Sequence, residues 1–495
     1  MDTRKVVVSG VKWTTVSTII TMVVALLRLV ILTRILDKAD FGVVSILTFV
    51  VGLTQTFSDL GFSSAIMHKK ELSKEEFSSL YWLQLFVFII LYVLISALSP
   101  WIASFYNEGM LSILLPLVLT ELIMNGIGKL YETILQKEFC FKTIAIRNII
   151  TSLLSLVVAV ILALCDFGVY SLVLSTLFYS LSLNLWNFLC GKKILNLKFY
   201  ISLKTTFPLM KIGLFQTGTN VTDYVAGKLD VLLMGKFLGM ENLGIYTLAK
   251  ELLVKVYSII NSIATKVLLP VYAKLQDDAK MLSSTYLKSI KSLTFITFPV
   301  LLALGVFSDP IINLLYGEKY SAVAPLMSIL SLSYLGAAIS NPIGSLTVAN
   351  GRTDTSFYYT IIRLIISLPI VLITSRVSMI CLAYGQLLIM FISFLLIYYM
   401  MIRAYLKISL KTYIESFRKN LLSTLGFAFG IGVLLRVNPF NILTSWQIVF
   451  VYGVITLLAY AFWTFLFYRN DDDFLSLLPQ SIQVKVNGKA LSNRG

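Results

Sequence analysis

The chain has 495 residues, of which 57% are hydrophobic and only 13% charged, and its net charge is +16. Soluble domains carry about a quarter charged residues, so this composition excludes a set of soluble domains and points to a bilayer as the main solvent. The excess charge needs no nucleic acid to explain it, because the basic residues sit in short loops between apolar segments, where anionic lipid headgroups would meet them.

A spanning helix needs about 20 mostly apolar residues. In chain order, that criterion predicts spans at 11–33, 42–66, 79–99, 110–131, 144–165, 168–189, 208–235, 243–268, 290–315, 322–347, 356–375, 378–400, 420–436 and 446–468. The first run is too long for the apolar core of a signal peptide and has no small-residue cleavage site after it, so it is expected to stay. The seventh and eighth carry the most charge. An even count puts both termini on one side, and the Lys/Arg bias of the loops selects the cytoplasmic side, with 26 basic residues in loops on that face against six on the other.

The chain contains an internal repeat. "RLVILTRILDKADFGVVSIL" at Arg28–Leu47 aligns with "KLDVLLMGKFLGMENLGIYTLA" at Lys228–Ala249, placing Arg34 over Lys236, Leu36 over Leu238, Asp40 over Asn242 and Gly42 over Gly244. "SFYNE" at Ser104 echoes "LLYGE" at Leu314, and "RNIITSL" at Arg147 echoes "RLIISL" at Arg363. Six helices separate the copies, so they share one orientation. The expectation is an all-α polytopic protein with two pseudo-symmetric six-helix lobes, 1–205 and 206–405, a site between them, two additional helices over 406–470 and a tail over 471–495.

Charged residues inside spans are costly, at about 2.5–3.5 kcal/mol each at mid-membrane on insertion scales. This chain places Arg28, Lys129, Arg147, Lys211, Lys228, Lys250, Lys255, Lys266 and Arg363 there, with the acids Asp59, Glu121, Glu132, Asp223, Asp230 and Glu251. Many fall on polar stripes of i, i+3/i+4 spacing. Examples are Gln55 and Asp59, then Glu121, Asn125, Lys129 and Glu132, then Asn220, Asp223, Gly227 and Asp230, and finally Glu251 and Lys255. Such stripes fit the wall of a wet cavity whose positive surplus suits a phosphate or diphosphate, with Arg28, Arg147 and Arg363 ranked first for their bidentate geometry. The other reading is that these groups pair with one another and only set packing, as Glu251 and Lys255 at i, i+4 would. Gly126, Gly128, Gly218, Gly227 and Gly235 lie in or beside the polar helices and serve either close packing or hinging. Asn341-Pro342 and Phe298-Pro299 are candidate kinks.

Catalytic and metal motifs are missing from the sequence. There is no Walker loop, the four cysteines have no metal-ligand spacing, and His68 stands alone in a basic loop. No cofactor and no metal are expected. No large outer loop carries the carboxylates or Arg/His cluster that a membrane polymerase or ligase would need.

The segments "LTRILDKADFGVVSI…FSDLGFSSAIMHKKELSKEEFSSLYWLQL" at Leu32–Leu85, "KLDVLLMGKFLGMENLGIYTLAKEL" at Lys228–Leu252 and "LLPVYAKLQDD" at Leu268–Asp278 resemble oligosaccharide flippases of the Wzx/WzxC type. These belong to the multidrug/oligosaccharidyl-lipid/polysaccharide exporter superfamily. The resemblance implies two six-helix lobes around a central cavity. It also implies translocation of an undecaprenyl-pyrophosphate-linked oligosaccharide from the inner to the outer leaflet of the bacterial cytoplasmic membrane, driven by a proton or sodium gradient. A polysaccharide polymerase and a chain-length regulator would be its partners. The family usually has a basic residue two positions before the Asp of the seventh helix. Here the pair is Lys228 and Asp230, with Lys where Arg is common. The substrate cavity is thus expected to involve Arg28, Arg147, Lys228, Lys250, Lys255 and Arg363, with Asp59, Glu121, Asp223, Asp230 and Glu251 as candidates for the coupling ion. Drug or cation efflux on the same fold and a membrane sugar polymerase are the competing classes.

Overall fold

A computed structural model of the chain describes residues 3–58, 62–68, 73–437, 447 and 460. Asp59, most of the predicted span at 446–468 and the tail at 471–495 lie outside the described residues. The elements of the described chain are all helices. Its elements are α1 (Thr3–Ile35), α2 (Lys38–Ser58), α3 (Phe62–His68), α4 (Lys74–Tyr106), α5 (Leu111–Lys137), α6 (Phe141–Leu164) and α7 (Val169–Gly191). There follow α8 (Leu203–Leu275), α9 (Ala279–Val306), α10 (Ser308–Leu315), α11 (Val323–Ala349), α12 (Thr353–Thr374), α13 (Met379–Ile397) and α14 (Leu410–Val437).

Eleven helical stretches among the described residues have the length and composition to cross a membrane, and the chain is a multi-pass membrane protein. A helix satisfies its own backbone, which lipid requires. The outward faces are apolar: Phe86, Ile89, Ile90, Val93 and Leu94 of α4 are all exposed. Where helices begin in polar loops, side chains take over the orphan backbone groups. The Ser73 hydroxyl accepts from the Glu76 amide at 3.2 Å while the Glu76 carboxylate accepts from the Ser73 amide at 3.1 Å, a reciprocal cap that starts α4. Asp278 accepts from the Met281 amide at 2.9 Å and starts α9.

One boundary differs from the sequence expectation, in the ninth span. The second predicted span is helical as far as Ser58 and again over Phe62–His68, with the residues between them outside the described ones. The ninth stops at Val306, and α10 begins at Ser308. The seventh and eighth predicted spans lie on either side of a break inside α8 at Gly239, within the expected connection at 236–242; its φ of 80° and ψ of 173° a residue with a Cβ adopts only under strain. The connection carries Lys236, Glu241 and Asn242, the polar residues that interrupt the apolar run. Pro299 and Pro342 are accommodated inside α9 and α11.

The chain packs as two compact units, residues 1–255 with 356–389, and 256–355 with 390–495. In the first, α1 lies on α6, and α5 lies on both α4 and α7. Tyr131 stacks edge-on with Phe77 and Phe188 in a core that includes Leu80, Leu130 and Ile134. Gly128 permits α5 to reach α7, since a Cβ there would lie 2.6 Å from the Asn184 Cα. In the second unit α9 packs on α11 and α14, with Asn420 donating to the Lys291 carbonyl and the Thr294 hydroxyl, each at 2.8 Å.

Candidate functional site

Within the first unit, α2, α5, α7 and α8 enclose a cavity of about 410 Å³. Val44, Leu47 and Val51 of α2 and Val118 of α5 make apolar wall, while Gln55, Glu121, Thr176 and Lys228 bring polar groups to it. Glu121 is half-buried and accepts from the Gln55 amide at 3.1 Å, with the Asn125 side chain also donating to it. Asn125 in turn accepts from Asn184 of α7 at 2.8 Å. This chain of amides fixes the carboxylate against α2 and α7.

Lys228 reaches the cavity from α8. It is half-buried, and among the described residues no hydrogen bond or ion pair holds its ammonium. Its electrostatic neighbours are Lys250, Asp230 and Glu251. Asp230 is fully engaged: it is 2% exposed and accepts from Lys250 at 2.5 Å, from the Tyr246 hydroxyl at 2.6 Å and from the Val231 amide at 2.9 Å. Lys250 also reaches the Gly227 carbonyl at 3.3 Å. These bonds tie together the stretches of α8 on either side of Gly239. A buried carboxylate with three donors is an anchor, and the pairing of Asp230 with Lys250 leaves Lys228 as the cation with donors to spare.

Arg28 approaches the same region from α1. Its guanidinium donates to the Leu172 carbonyl at 3.0 Å, the Ser175 hydroxyl at 2.7 Å and the Thr176 hydroxyl at 3.1 Å. Glu251 acts on it electrostatically, and Glu251 itself pairs with Lys255 at 2.9 Å. Four cations, Arg28, Lys228, Lys250 and Lys255, therefore neighbour two acids, Asp230 and Glu251, with Glu121 on the cavity wall.

The other predicted residues lie elsewhere. Arg147 is 1% exposed and is enclosed by α5, α6 and α7. It pairs with Glu132 at 3.2 Å and donates to the side chains of Asn148 and Asn187. Asp223 is exposed and accepts from Thr360 of α12 at 2.6 Å. Arg363 is half-buried one turn beyond Thr360 on α12. Asp59 is outside the described residues.

Several partners were not among the sequence candidates. Tyr224 lines the cavity, stacks on Phe49 and donates to the Thr48 or Phe49 carbonyl, each at 3.2 Å. Its place depends on Gly52, where a Cβ would lie 2.2 Å from the tyrosine oxygen. Tyr224 is four residues before Lys228, so the same stripe logic reaches it. Ser180, Asn184 and Asn187 of α7 also form an i, i+4, i+7 stripe.

Residues 31–325 match the family model described as polysaccharide biosynthesis protein. The chain belongs to this polysaccharide biosynthesis family. It is 29% identical over 440 residues to the lipopolysaccharide biosynthesis protein WzxC of Escherichia coli (strain K12), covering 88% of this chain and 89% of the relative. It is 28% identical over 434 residues to the teichuronic acid biosynthesis protein TuaB of Bacillus subtilis (strain 168), covering 87% and 89%. A solved structure of the lipid II flippase MurJ in an inward closed conformation superposes with a TM-score of 0.76 at 18% identity, covering 93% of this chain and 99% of that one. The likeness establishes a fold shared with that transporter, and this family member has an all-α transporter fold with no strand among the described residues.

Proposed function

We propose that this protein is a flippase, not an enzyme. It moves a lipid-linked oligosaccharide, an undecaprenyl-pyrophosphate-linked repeat unit, from the inner to the outer leaflet of the bacterial cytoplasmic membrane for surface polysaccharide synthesis. The observation that carries this reading is Lys228, a half-buried cation without an ion-pair partner among the described residues, at the junction of the cavity and a cluster with four cations and two acids. A surplus of positive charge held at low dielectric favours an anionic headgroup. The names of the relatives, which are biosynthesis proteins of lipopolysaccharide and teichuronic acid, support the same substrate class.

In this reading the chain has two six-helix halves, 1–205 and 206–405, that alternate in opening to each side of the membrane, and both termini are cytoplasmic. The diphosphate is held by Arg28, Lys228, Lys250 and Lys255 while the polyprenyl tail stays in lipid. Arg147 and Arg363 contribute by positioning α6 and α12. A proton or sodium ion drives the cycle, with Glu121, Asp223, Asp230 and Glu251 as the acids that would hold it, and a polymerase and chain-length regulator act on the product. The test is complementation of a strain lacking its own exopolysaccharide flippase and equipped with this protein's sugar pathway. Restored surface polysaccharide is expected. An inserted protein that restores none, yet lowers cellular accumulation of cationic dyes, would move the assignment to efflux.

A further inference from the structure

We propose that the cavity between α2, α5, α7 and α8 is a carbohydrate subsite, which seats one pyranose ring of the transported molecule beside its anionic headgroup. The inference rests on the flippase reading and adds to it where the sugar binds and which atoms recognise it.

The volume, about 410 Å³, lies in the range of small-molecule sites, roughly 300–1,000 Å³. An acyl or polyprenyl segment is a poor fit, because such a chain would offer no acceptor to the Lys228 ammonium and no donor to the remaining lone pairs of Glu121, and burying such groups unsatisfied is costly. A bare phosphate is also a poor fit: Glu121 faces the same space as Lys228 and would repel it. A pyranose has the two kinds of surface that the walls have. Its ring C–H groups match Val44, Leu47, Val51 and Val118, and its hydroxyl rim matches Glu121 and Lys228.

The polar atoms are arranged for this. A carboxylate offers about four acceptor sites. The Gln55 and Asn125 side chains donate to Glu121 and hold it in place, leaving acceptor capacity for two neighbouring hydroxyls of one ring. Lys228 supplies donors with no acceptor among the described residues, and its electrostatic neighbours include Lys250 and Asp230, which do not line the cavity. One ammonium thus serves both parts of the substrate: the sugar ring in the cavity and the headgroup anion drawn by the neighbouring cations. Tyr224 has its hydroxyl engaged by α2 carbonyls, which holds its ring as wall. Gly52 makes that placement possible.

The experiment follows thermal unfolding of the purified full-length protein in detergent with four free probes, glucose, galactose, N-acetylglucosamine and glucuronate, each at high concentration. Erythritol at equal concentration is the reference, because polyols stabilise proteins generally by exclusion from the surface. A site-bound sugar adds a stabilisation that grows with the logarithm of its concentration. The expected result is that at least one pyranose raises Tm beyond erythritol, and that Glu121→Gln or Lys228→Gln removes the difference while the unliganded Tm of at least one of these variants stays within a few degrees of the parent. Inorganic pyrophosphate is measured in parallel. If no pyranose exceeds erythritol while pyrophosphate still raises Tm, the sugar subsite is overturned and the anion cluster stands. If neither raises Tm, both readings fall. A pyranose shift that persists in both variants also overturns the subsite, since it would arise elsewhere.

Discussion

Ser45 Oγ lies 3.0 Å from Thr247 Oγ1, and these residues are related by the 202-residue interval of the internal repeat. Each hydroxyl also bonds to the carbonyl four residues before it, Phe41 and Leu243, which are again 202 apart. A Cβ on Gly42 would lie 1.9 Å from the Met240 carbonyl oxygen, and a Cβ on Gly244 would lie 1.9 Å from that of Lys38. Lys38 and Met240 are the next such pair. The contact between α2 and α8 is therefore reciprocal, each copy of the repeat presenting the same residues to the other, as at a two-fold interface. Two glycines let the backbones meet, so the repeat is written into packing as well as sequence.

Replacing either glycine should damage the protein to a similar degree. Gly42→Ala and Gly244→Ala place a methyl group against backbone, which cannot rotate away, and overpacking of this kind costs about 1–3 kcal/mol or more. Gly218, where an added methyl group would meet nothing within 4 Å, is the control: Gly218→Ala should be neutral or stabilising by up to about 1 kcal/mol. Thermal unfolding of the three purified variants checks this. A Gly42→Ala protein as stable as the parent would contradict the close contact.

If the halves rock against each other during transport, the contact at Ser45 and Thr247 has to separate. A Ser45→Cys, Thr247→Cys protein should cross-link under mild oxidation, lose transport when cross-linked and regain it on reduction. The readout is surface polysaccharide before and after reductant. Undiminished transport by fully cross-linked protein would show that α2 and α8 stay together throughout the cycle.

Arg147 should behave as a packing residue. Arg147→Ala strands Glu132 inside the α5–α7 contact, and breaking a buried pair from one side costs about 3–5 kcal/mol. Low membrane abundance is expected, with partial recovery in Arg147→Ala, Glu132→Gln because the stranded charge is gone. Lys255→Ala should be mild by comparison, since its partner Glu251 is half exposed and an i, i+4 pair on a helix surface contributes only about 0.3–0.5 kcal/mol. Quantitative immunoblots of membranes distinguish the two.

Most of the helices were legible in the sequence because length and hydropathy report directly on what lipid demands. The break at Gly239 falls inside the predicted connection at 236–242, which Lys236, Glu241 and Asn242 mark, whereas the break between α9 and α10 at Phe307 interrupts one continuous apolar run, the predicted span at 290–315, and hydropathy alone does not show it. For the site, spacing put Gln55 and Glu121 on the polar faces of their helices, and their 3.1 Å bond joins those faces. Spacing alone could not tell which charges are consumed by partners. Arg147 and Lys228 rank alike in sequence, each a cation inside a predicted span, yet one is closed off by Glu132 and Asn187 and the other opens on a cavity. That difference depends on contacts across helices tens of residues apart.

Lys228 is the residue on which the proposed headgroup contact depends most directly. Lys228→Ala and Lys228→Arg, expressed at matched membrane levels in the complemented flippase-deficient strain, separate charge from packing. Lys228→Ala is expected to lower surface polysaccharide at least about tenfold, equivalent to about 1.4 kcal/mol of lost interaction, while Lys228→Arg retains a substantial part of it. Wild-type output from the Lys228→Ala protein would contradict the claim that this cation holds the transported headgroup.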